Sequence, residues 1–148
     1  MSRAFVKDDD DRPEKPPPRP VGERPNYVTP GGLALLHAAL ARARAEADVR
    51  NVEYYEERIG SAEVVESKVG APGVVAFGST VVSREVGGRA AEVRLRIVGE
   101  DEADPKHGTI SWISPYAQAL LGHRVGDRVV VQRPTGPATV TIEAVEEG

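Results

Sequence analysis

The hydrophobic residues of this chain change period once, about halfway along, and this change constrains the fold more than any other feature. Between Thr29 and about Glu66 they recur every three or four positions, which is typical of amphipathic helices. From Gly70 to Gly148 they alternate with polar residues, which is typical of strands that bury one face. The sequence therefore predicts an α+β fold in which a helical segment is followed by a sheet.

The first 26 residues show neither the helical nor the strand pattern. Four consecutive aspartates, Asp8 to Asp11, precede half of the 12 prolines, and few apolar residues accompany them. A segment of this composition cannot bury enough surface to offset the entropy lost on ordering. We interpret residues 1–26 as a disordered or polyproline-II arm, which is either a tether that touches a partner or a solvated tail.

Residues 27–68 are predicted to form a short antiparallel helical hairpin. Thr29 offers a hydroxyl N-cap, and Pro30 occupies the first helical position, where its missing N–H costs nothing. The apolar stripes are Leu33, Leu36, Leu40 and Ala43 in the first helix and Tyr55, Ile59 and Ala62 in the second. We expect the second helix to run from about Asn51 to Val65, after a tight connection near residues 48–50.

Residues 70–148 predict a twisted, mostly antiparallel sheet with one helix. The strand patterns run from Val74 to Val82 with an interruption at Gly78, from Val93 to Ile97, from Arg128 to Gln132 and from Val140 to Ala144. Gly87-Gly88 lies where a two-residue hairpin turn is expected. The helix is expected to begin at the N-cap Ser114 with Pro115 behind it, and to end before Gly122.

The composition favours a binding module over an enzyme. The 148 residues carry a net charge of −4, which argues against a free-standing nucleic-acid binder. There is no cysteine, which excludes a disulfide scaffold and a thiol nucleophile, and the three histidines lack metal-ligand spacing. The sequence has no phosphate-binding loop, no nucleophile elbow and no apolar run of membrane-spanning length. We expect a cytoplasmic protein with no catalytic residue, metal or cofactor of its own.

Several motifs in a fixed order then resemble one family. They are Ile97-Val98-Gly99-Glu100-Asp101-Glu102-Ala103-Asp104, Ile110-Ser111-Trp112-Ile113-Ser114-Pro115, Ala119-Leu120-Leu121-Gly122, Val125-Gly126-Asp127 and Pro134-Thr135-Gly136. This series resembles the C-terminal domain of the GreA/GreB transcript cleavage factors of bacterial RNA polymerase. The resemblance covers about half of the chain, and it implies an FKBP-like fold for residues 70–148.

The helical segment resembles the same family, but with a shortened hairpin. Thr29, Gly32, Leu36 and Leu40 match the start of the family's first coiled-coil helix, and residues 58–65 match the end of its second. The resemblance places the hairpin tip at Glu46, Asp48, Arg50, Asn51 and Glu53. The family's two acidic tip positions then fall on Ala47 and Arg50.

The resemblance implies a binding factor, not an enzyme, whose partner is bacterial RNA polymerase. In the family, the hairpin enters the secondary channel of the polymerase, and its tip acids help to hold the second Mg²⁺ of the polymerase active site. Arg50 would repel that ion and a shorter hairpin reaches less far, so we expect polymerase binding with weak or lost stimulation of transcript cleavage. An alternative is a channel-blocking protein of the regulator of nucleoside diphosphate kinase type.

The resemblance also implies docking residues in the C-terminal domain. These are Asp101, Glu102, Asp104, Ile113, Ser114 and Pro115. A structural role is open for the same residues, since Ser114 and Pro115 begin a helix. Trp112 is either an exposed anchor beside this loop or a core residue.

Two further functions stay open at this point. An FKBP-like domain can be a peptidyl-prolyl isomerase, which would need an aromatic-lined pocket built from Phe77, Trp112 and Tyr116. The hairpin and the arm would alternatively suit an adaptor for some other partner. We expect no sequence-specific nucleic-acid binding and no membrane partner.

Overall fold

The computed structural model describes residues 17–66, 71–88 and 91–147. In these ranges a pair of helices and a two-stranded sheet are joined to a five-stranded sheet that carries one short helix. The expected combination of helices with a largely antiparallel sheet is confirmed. The first 16 residues of the predicted arm lie outside the described residues, and residues 17–25 contain no helix or strand.

The helical pair consists of α1, Pro30–Ala45, and α2, Val49–Ser61. α1 begins where the sequence predicts, because the Thr29 hydroxyl accepts a hydrogen bond from the N–H of Gly32 at 2.9 Å. α2 runs back beside α1, and Arg44 of the first helix pairs with Glu56 of the second at 3.4 Å. The connection is short, and the two helices pack against each other as one element.

α2 ends four residues before the predicted position. The expected helix ran to Val65, but Ala62–Val64 form a strand, β2, which pairs in parallel with β1, Asn26–Val28. The β-branched residues at this end favour an extended backbone, and the N–H of Val65 donates to the carbonyl of Val28 at 2.9 Å. The prediction of a helix here was therefore wrong, and the pairing of β1 with β2 was not foreseen.

The five-stranded sheet has the order β5-β4-β3-β7-β6. Its strands are β3, Ser79–Glu85; β4, Val93–Val98; β5, Thr109–Ser111; β6, Arg128–Arg133; and β7, Gly136–Glu147. All neighbouring strands are antiparallel except β4 and β5, which run in parallel. A turn of 3₁₀ helix, Pro105–His107, precedes β5.

One predicted strand is shorter than the sequence suggests. The pattern from Val74 to Val82 predicted an interrupted strand, yet β3 begins only after Gly78, and Val74 forms an isolated bridge with Arg124. Gly78 has φ +87° and donates its N–H to the carbonyl of Ile97 at 2.7 Å. This left-handed backbone turns the chain, so the strand starts behind the glycine.

The core of the sheet lies beneath α3, Pro115–Leu120. Its most buried side chains are Ile97, Leu120, Val131 and Ile142. The Ser114 hydroxyl accepts from the N–H of Ala117 at 3.2 Å, which confirms the predicted cap. No helix among the described residues is long and apolar enough to cross a membrane.

Candidate functional site: the helical pair and the acidic turn

The helices are joined to the sheet through the turn of residues 100–102, which we name the acidic turn. Glu102 accepts hydrogen bonds from the N–H of Thr29 at 2.9 Å, from the hydroxyl of Thr29 at 2.5 Å and from the N–H of Gly99 at 3.2 Å. Its carboxylate therefore lies at the N-terminus of α1, where unpaired N–H groups and the helix dipole favour a negative charge. One side chain thus binds the N-cap residue of the first helix and holds it on the end of β4.

Two glycines allow this close approach. A Cβ atom at Gly32 would lie 2.2 Å from an oxygen of Glu102, and one at Gly99 would lie 2.4 Å from the carbonyl oxygen of Tyr27. Atoms do not come this close without displacement of one of them. At Gly99 the neighbour is backbone, so the junction requires glycine there, whereas a side chain at Gly32 would force the Glu102 carboxylate out of its position.

Asp101, the middle residue of the acidic turn, binds α2. It accepts a hydrogen bond from Arg58 Nε at 2.6 Å and a second one from the hydroxyl of Tyr54. Arg58 is 4% exposed and also donates to Asn26 Oδ1 at 2.7 Å, while the Asn26 amide donates to the carbonyl of Arg58 at 2.7 Å. Glu100 adds an ion pair to Arg58 at 3.4 Å. A buried guanidinium is tolerated here because its charge and its donors are paired.

The same contacts shift two pKa values. Burial, followed by the hydrogen bond to Asp101, raises the pKa of the Tyr54 hydroxyl to about 12. Burial lowers the pKa of the Arg58 guanidinium, but the hydrogen bond and the negative charge of Asp101 outweigh it and leave the pKa raised. Both shifts keep Tyr54 protonated and Arg58 charged, which is the state that the network needs.

The predicted tip residues surround the start of α2. Asp48 caps the helix: one oxygen accepts from the N–H of Asn51 at 3.3 Å, and the other accepts from the side-chain amide of Asn51 at 2.6 Å. Ala47 has φ +53°, and Glu46, Arg50 and Glu53 are exposed at this end. Among the described residues, no three histidine or carboxylate side chains are grouped as metal ligands.

We name residues 71–88 and 91–147 the sheet unit. Each predicted docking residue has a structural role, either within this unit or at its junction with the helices. Asp104 caps the 3₁₀ turn by accepting from the N–H of Lys106 at 3.2 Å, and its carboxylate lies 2.6 Å from His107 Nδ1. Ser114 caps α3, with Ile113 before it and Pro115 at the first helical position. Asp101 and Glu102 hold the helices, as described above. Their role in docking stays a prediction.

Tyr27 of β1 packs against two aromatic residues of the sheet unit, Trp112 and Phe77. The ring of Tyr27 lies 5.0 Å from the ring of Trp112 and 6.0 Å from that of Phe77, measured between centroids. Trp112 packs against the core, and its buried Nε1 has no hydrogen-bond partner among the described residues. Trp112 is therefore a packing residue, and two of the three aromatic side chains named for an isomerase pocket, Phe77 and Trp112, are in contact with Tyr27.

The sequence interpretation missed the residues that bind the helices to the acidic turn. Asn26, Tyr54 and Arg58 were not singled out as candidates, although Arg58 follows Tyr54 by four positions and adjoins the apolar stripe of α2. Charged residues flank the apolar stripe of most amphipathic helices, so this position alone does not distinguish Arg58. Its partner is 43 residues away, which no local pattern identifies.

Comparison with known proteins agrees with this arrangement of motifs. The family described as "Transcription elongation factor, GreA/GreB, C-term" matches residues 70–147. The chain belongs to the GreA/GreB family of transcription elongation factors. The predicted family is thereby confirmed, and its matched region contains the acidic turn together with α3.

Individual GreA proteins match over most of the chain. The GreA of Thioalkalivibrio sulfidiphilus is 38% identical over 128 residues, covering 74% of this chain and 80% of the relative. The GreA of Vibrio parahaemolyticus is 41% identical over 115 residues, covering 76% and 71%. Among solved structures, a GreA/GreB factor of Nitrosomonas europaea aligns with a TM-score of 0.46 and 28% identity, covering 82% of this chain and 98% of that one. The Gfh1 protein of Thermus thermophilus aligns with a TM-score of 0.45 and 23% identity, covering 83% and 99%.

Gly32→Ala should lower the free energy of unfolding by about 1–3 kcal/mol, because the added methyl group displaces the Glu102 carboxylate from the N-terminus of α1. Gly31→Ala is the matched control, since a Cβ there meets only the Thr29 hydroxyl, at 3.9 Å. We expect it to be neutral or slightly stabilising. Chemical denaturation of both variants measures the difference, and equal stabilities would contradict this description of the junction.

Tyr54→Phe should destabilise the protein by about 1–2 kcal/mol at pH 8, because it removes a hydrogen bond to a charged acceptor. The pKa of Tyr54 is raised from 10.0 to about 12 in the folded protein, so its contribution is complete below pH 10 and is lost as the pH rises through 12. The stability difference between wild type and Tyr54→Phe should therefore shrink between pH 10 and pH 12. Tyr55→Phe removes the neighbouring hydroxyl and serves as the control; a constant difference for Tyr54→Phe across this range would refute the assignment.

Proposed function

We propose that this protein binds bacterial RNA polymerase at the secondary channel and regulates elongation with little or no stimulation of transcript cleavage. The observation that carries the proposal is the chemistry of the helical tip. Arg50 is exposed at a position where the resemblance implies an acid, and both oxygens of Asp48 are engaged with Asn51. A tip of this kind can occupy a channel by shape without supplying ligands to a metal ion.

The electrostatics of the tip support the loss of cleavage stimulation. A Mg²⁺ ion bound through carboxylates needs oxygens that are free to enter its coordination shell. At the tip, Asp48 Oδ1 already caps α2 and Asp48 Oδ2 accepts from the side-chain amide of Asn51, and the guanidinium of Arg50 adds a positive charge two residues further along the chain. These residues do not fit a site for the polymerase ion, so we assign no step of the hydrolysis to this chain.

The length of the helical pair also supports the loss of cleavage stimulation. α1 has 16 residues and α2 has 13, which correspond to about 24 Å and 20 Å at the usual rise of 1.5 Å per residue. The acidic turn holds this pair at two points: Glu102 binds the start of α1, and Asp101 binds Tyr54 and Arg58 of α2. The pair is thus a short, rigidly mounted projection, suited to the entrance of a channel.

The sheet unit completes the proposal as the docking module. We assign it an FKBP-like fold and a role in binding the channel rim through Asp104, which is exposed, and Ile113, which is partly exposed. This protein would act as a binding factor, and any chemistry would take place in the polymerase.

The direct test is a titration of core RNA polymerase with this protein, in competition with a cleavage-competent factor of the same family. We expect mutually exclusive binding, because the two proteins would use one channel. Simultaneous binding, or no binding at micromolar concentration, would disprove the location.

A cleavage assay on backtracked complexes tests the second half of the proposal. We expect the wild-type protein to leave transcript cleavage near its intrinsic rate at a concentration that saturates the polymerase. The variant Arg50→Ala controls for simple repulsion of the metal ion by the tip arginine, and it should stay inactive because Asp48 remains engaged. Strong stimulation by the wild-type protein would show that the tip acids do reach the ion.

A further inference from the structure

We propose that residues 17–25, which we name the strap, close over the tip half of α2 and compete with the protein's partner for that surface. This inference rests on the proposed function, since it concerns the helical tip that would enter the polymerase. Residues 17–25 are the described part of the arm that the sequence left as either a tether or a solvated tail. The structure gives them defined contacts within the chain.

Arg19 makes the contacts at the N-terminal end of the strap. The central carbon of its guanidinium lies 3.6 Å from the centroid of the Tyr54 ring and 5.7 Å from that of Tyr55. Its Nη1 donates a hydrogen bond to Asn51 Oδ1 at 2.7 Å. A cation stacked on an aromatic face and hydrogen-bonded at the same time is held in one orientation. Arg19 is also partly buried, while Pro18 and Pro20 on either side are exposed.

The other end of the strap is fixed more firmly. Asn26 is buried and exchanges two hydrogen bonds with Arg58, and β1 then continues beside β2 in the same direction. The strap therefore runs in the same direction as α2. Arg19 contacts Asn51 near the start of the helix, and Asn26 contacts Arg58 near its end. The strap is therefore held at its sheet end by the hydrogen bonds of Asn26 with Arg58. Near the tip it is held by the weaker contacts of Arg19 with Asn51 and Tyr54, which we name the clasp.

The composition of the strap suits a clasp that opens. Prolines at positions 17, 18, 20 and 25 restrict the backbone in the open state, so closing the strap loses less conformational entropy than it would for an ordinary segment. The middle of the strap is exposed, and Val21 retains 43% of its accessible surface. Closure therefore depends on the contacts of Arg19, which are individually weak at a partly exposed site.

The closed strap obstructs the surface that the proposed function requires. Asn51 lies in the first turn of α2 and Tyr54 in the next, so the clasp adds the width of an extended chain close to the tip. A channel that encloses the helical pair has to displace Arg19 from this position. When only the open fraction of a protein can bind, its apparent affinity falls by that fraction.

The test compares the affinity of core RNA polymerase for wild type, Arg19→Ala and Arg24→Ala. Arg24 lies in the same segment, is exposed, and carries the same charge, so its variant is a matched control for electrostatics. We expect Arg19→Ala to bind about threefold to tenfold more tightly than wild type, and Arg24→Ala to bind like wild type. Equal affinity of Arg19→Ala and wild type, or weaker binding of Arg19→Ala, would overturn the competition.

A nuclear magnetic resonance measurement on the isolated protein tests the clasp independently of the polymerase. The Nε–H proton of Arg19 should be shifted upfield by the Tyr54 ring current, and Tyr54→Leu should return it to the position of an exposed arginine. An unshifted signal in the wild type would overturn the strap itself. If no variant binds polymerase, the proposed function fails and the competition fails with it, while this signal still decides whether the clasp exists.

Discussion

The structure depends on two adjacent carboxylates in one turn of the sheet unit. Glu102 neutralises the N-terminus of α1, and Asp101 pairs with Arg58 and Tyr54 of α2. Each helix alone is short, and short helices in water need tertiary contacts to persist. The acidic turn supplies these contacts to both helices at once, and it thereby sets the direction in which the tip projects from the sheet.

This arrangement explains why α2 gives way to a strand at Ala62. Arg58 is held from three sides, by Asp101, Glu100 and Asn26, and the last of these brings β1 next to the end of the helix. Once β1 is there, the backbone beyond Ser61 finds a full set of partners in a parallel ladder. The cost of leaving a buried guanidinium unpaired is several kcal/mol, so the network is expected to form as a unit or not at all.

The sequence predicts the local features of this fold well and the long-range ones poorly. Thr29 and Ser114 predict the starts of their helices, because a hydroxyl cap followed by proline is a pattern of adjacent residues. The alternation in β4, β6 and β7 is equally local. β1, β2 and β5 have three residues each, too few to show a period, and they exist because a neighbouring strand is already in place. The contact of Asp101 with Arg58 spans 43 residues and has no local signature.

In the tip and the strap, too, the sequence predicts local features but not the contacts between distant residues. The resemblance assigns Glu46, Asp48, Arg50, Asn51 and Glu53 to the tip, but only the structure shows that Asp48 serves as a helix cap. Arg19 belongs to a segment whose composition predicts disorder, yet its guanidinium stacks on an aromatic ring that α2 presents. Composition describes what a segment can bury within itself, and it is silent on a surface offered by another element.

The central claim, that the acidic turn aims the helical pair, can be tested by a distance measurement between spin labels. The chain has no cysteine, so Arg50→Cys at the tip and Arg128→Cys on the exposed edge of β6 provide two unique labelling sites. The distance distribution should be single and narrow in the otherwise wild-type protein, and it should broaden when Asp101→Asn and Glu102→Gln are introduced together. A narrow distribution that survives both substitutions in a folded protein would contradict the account.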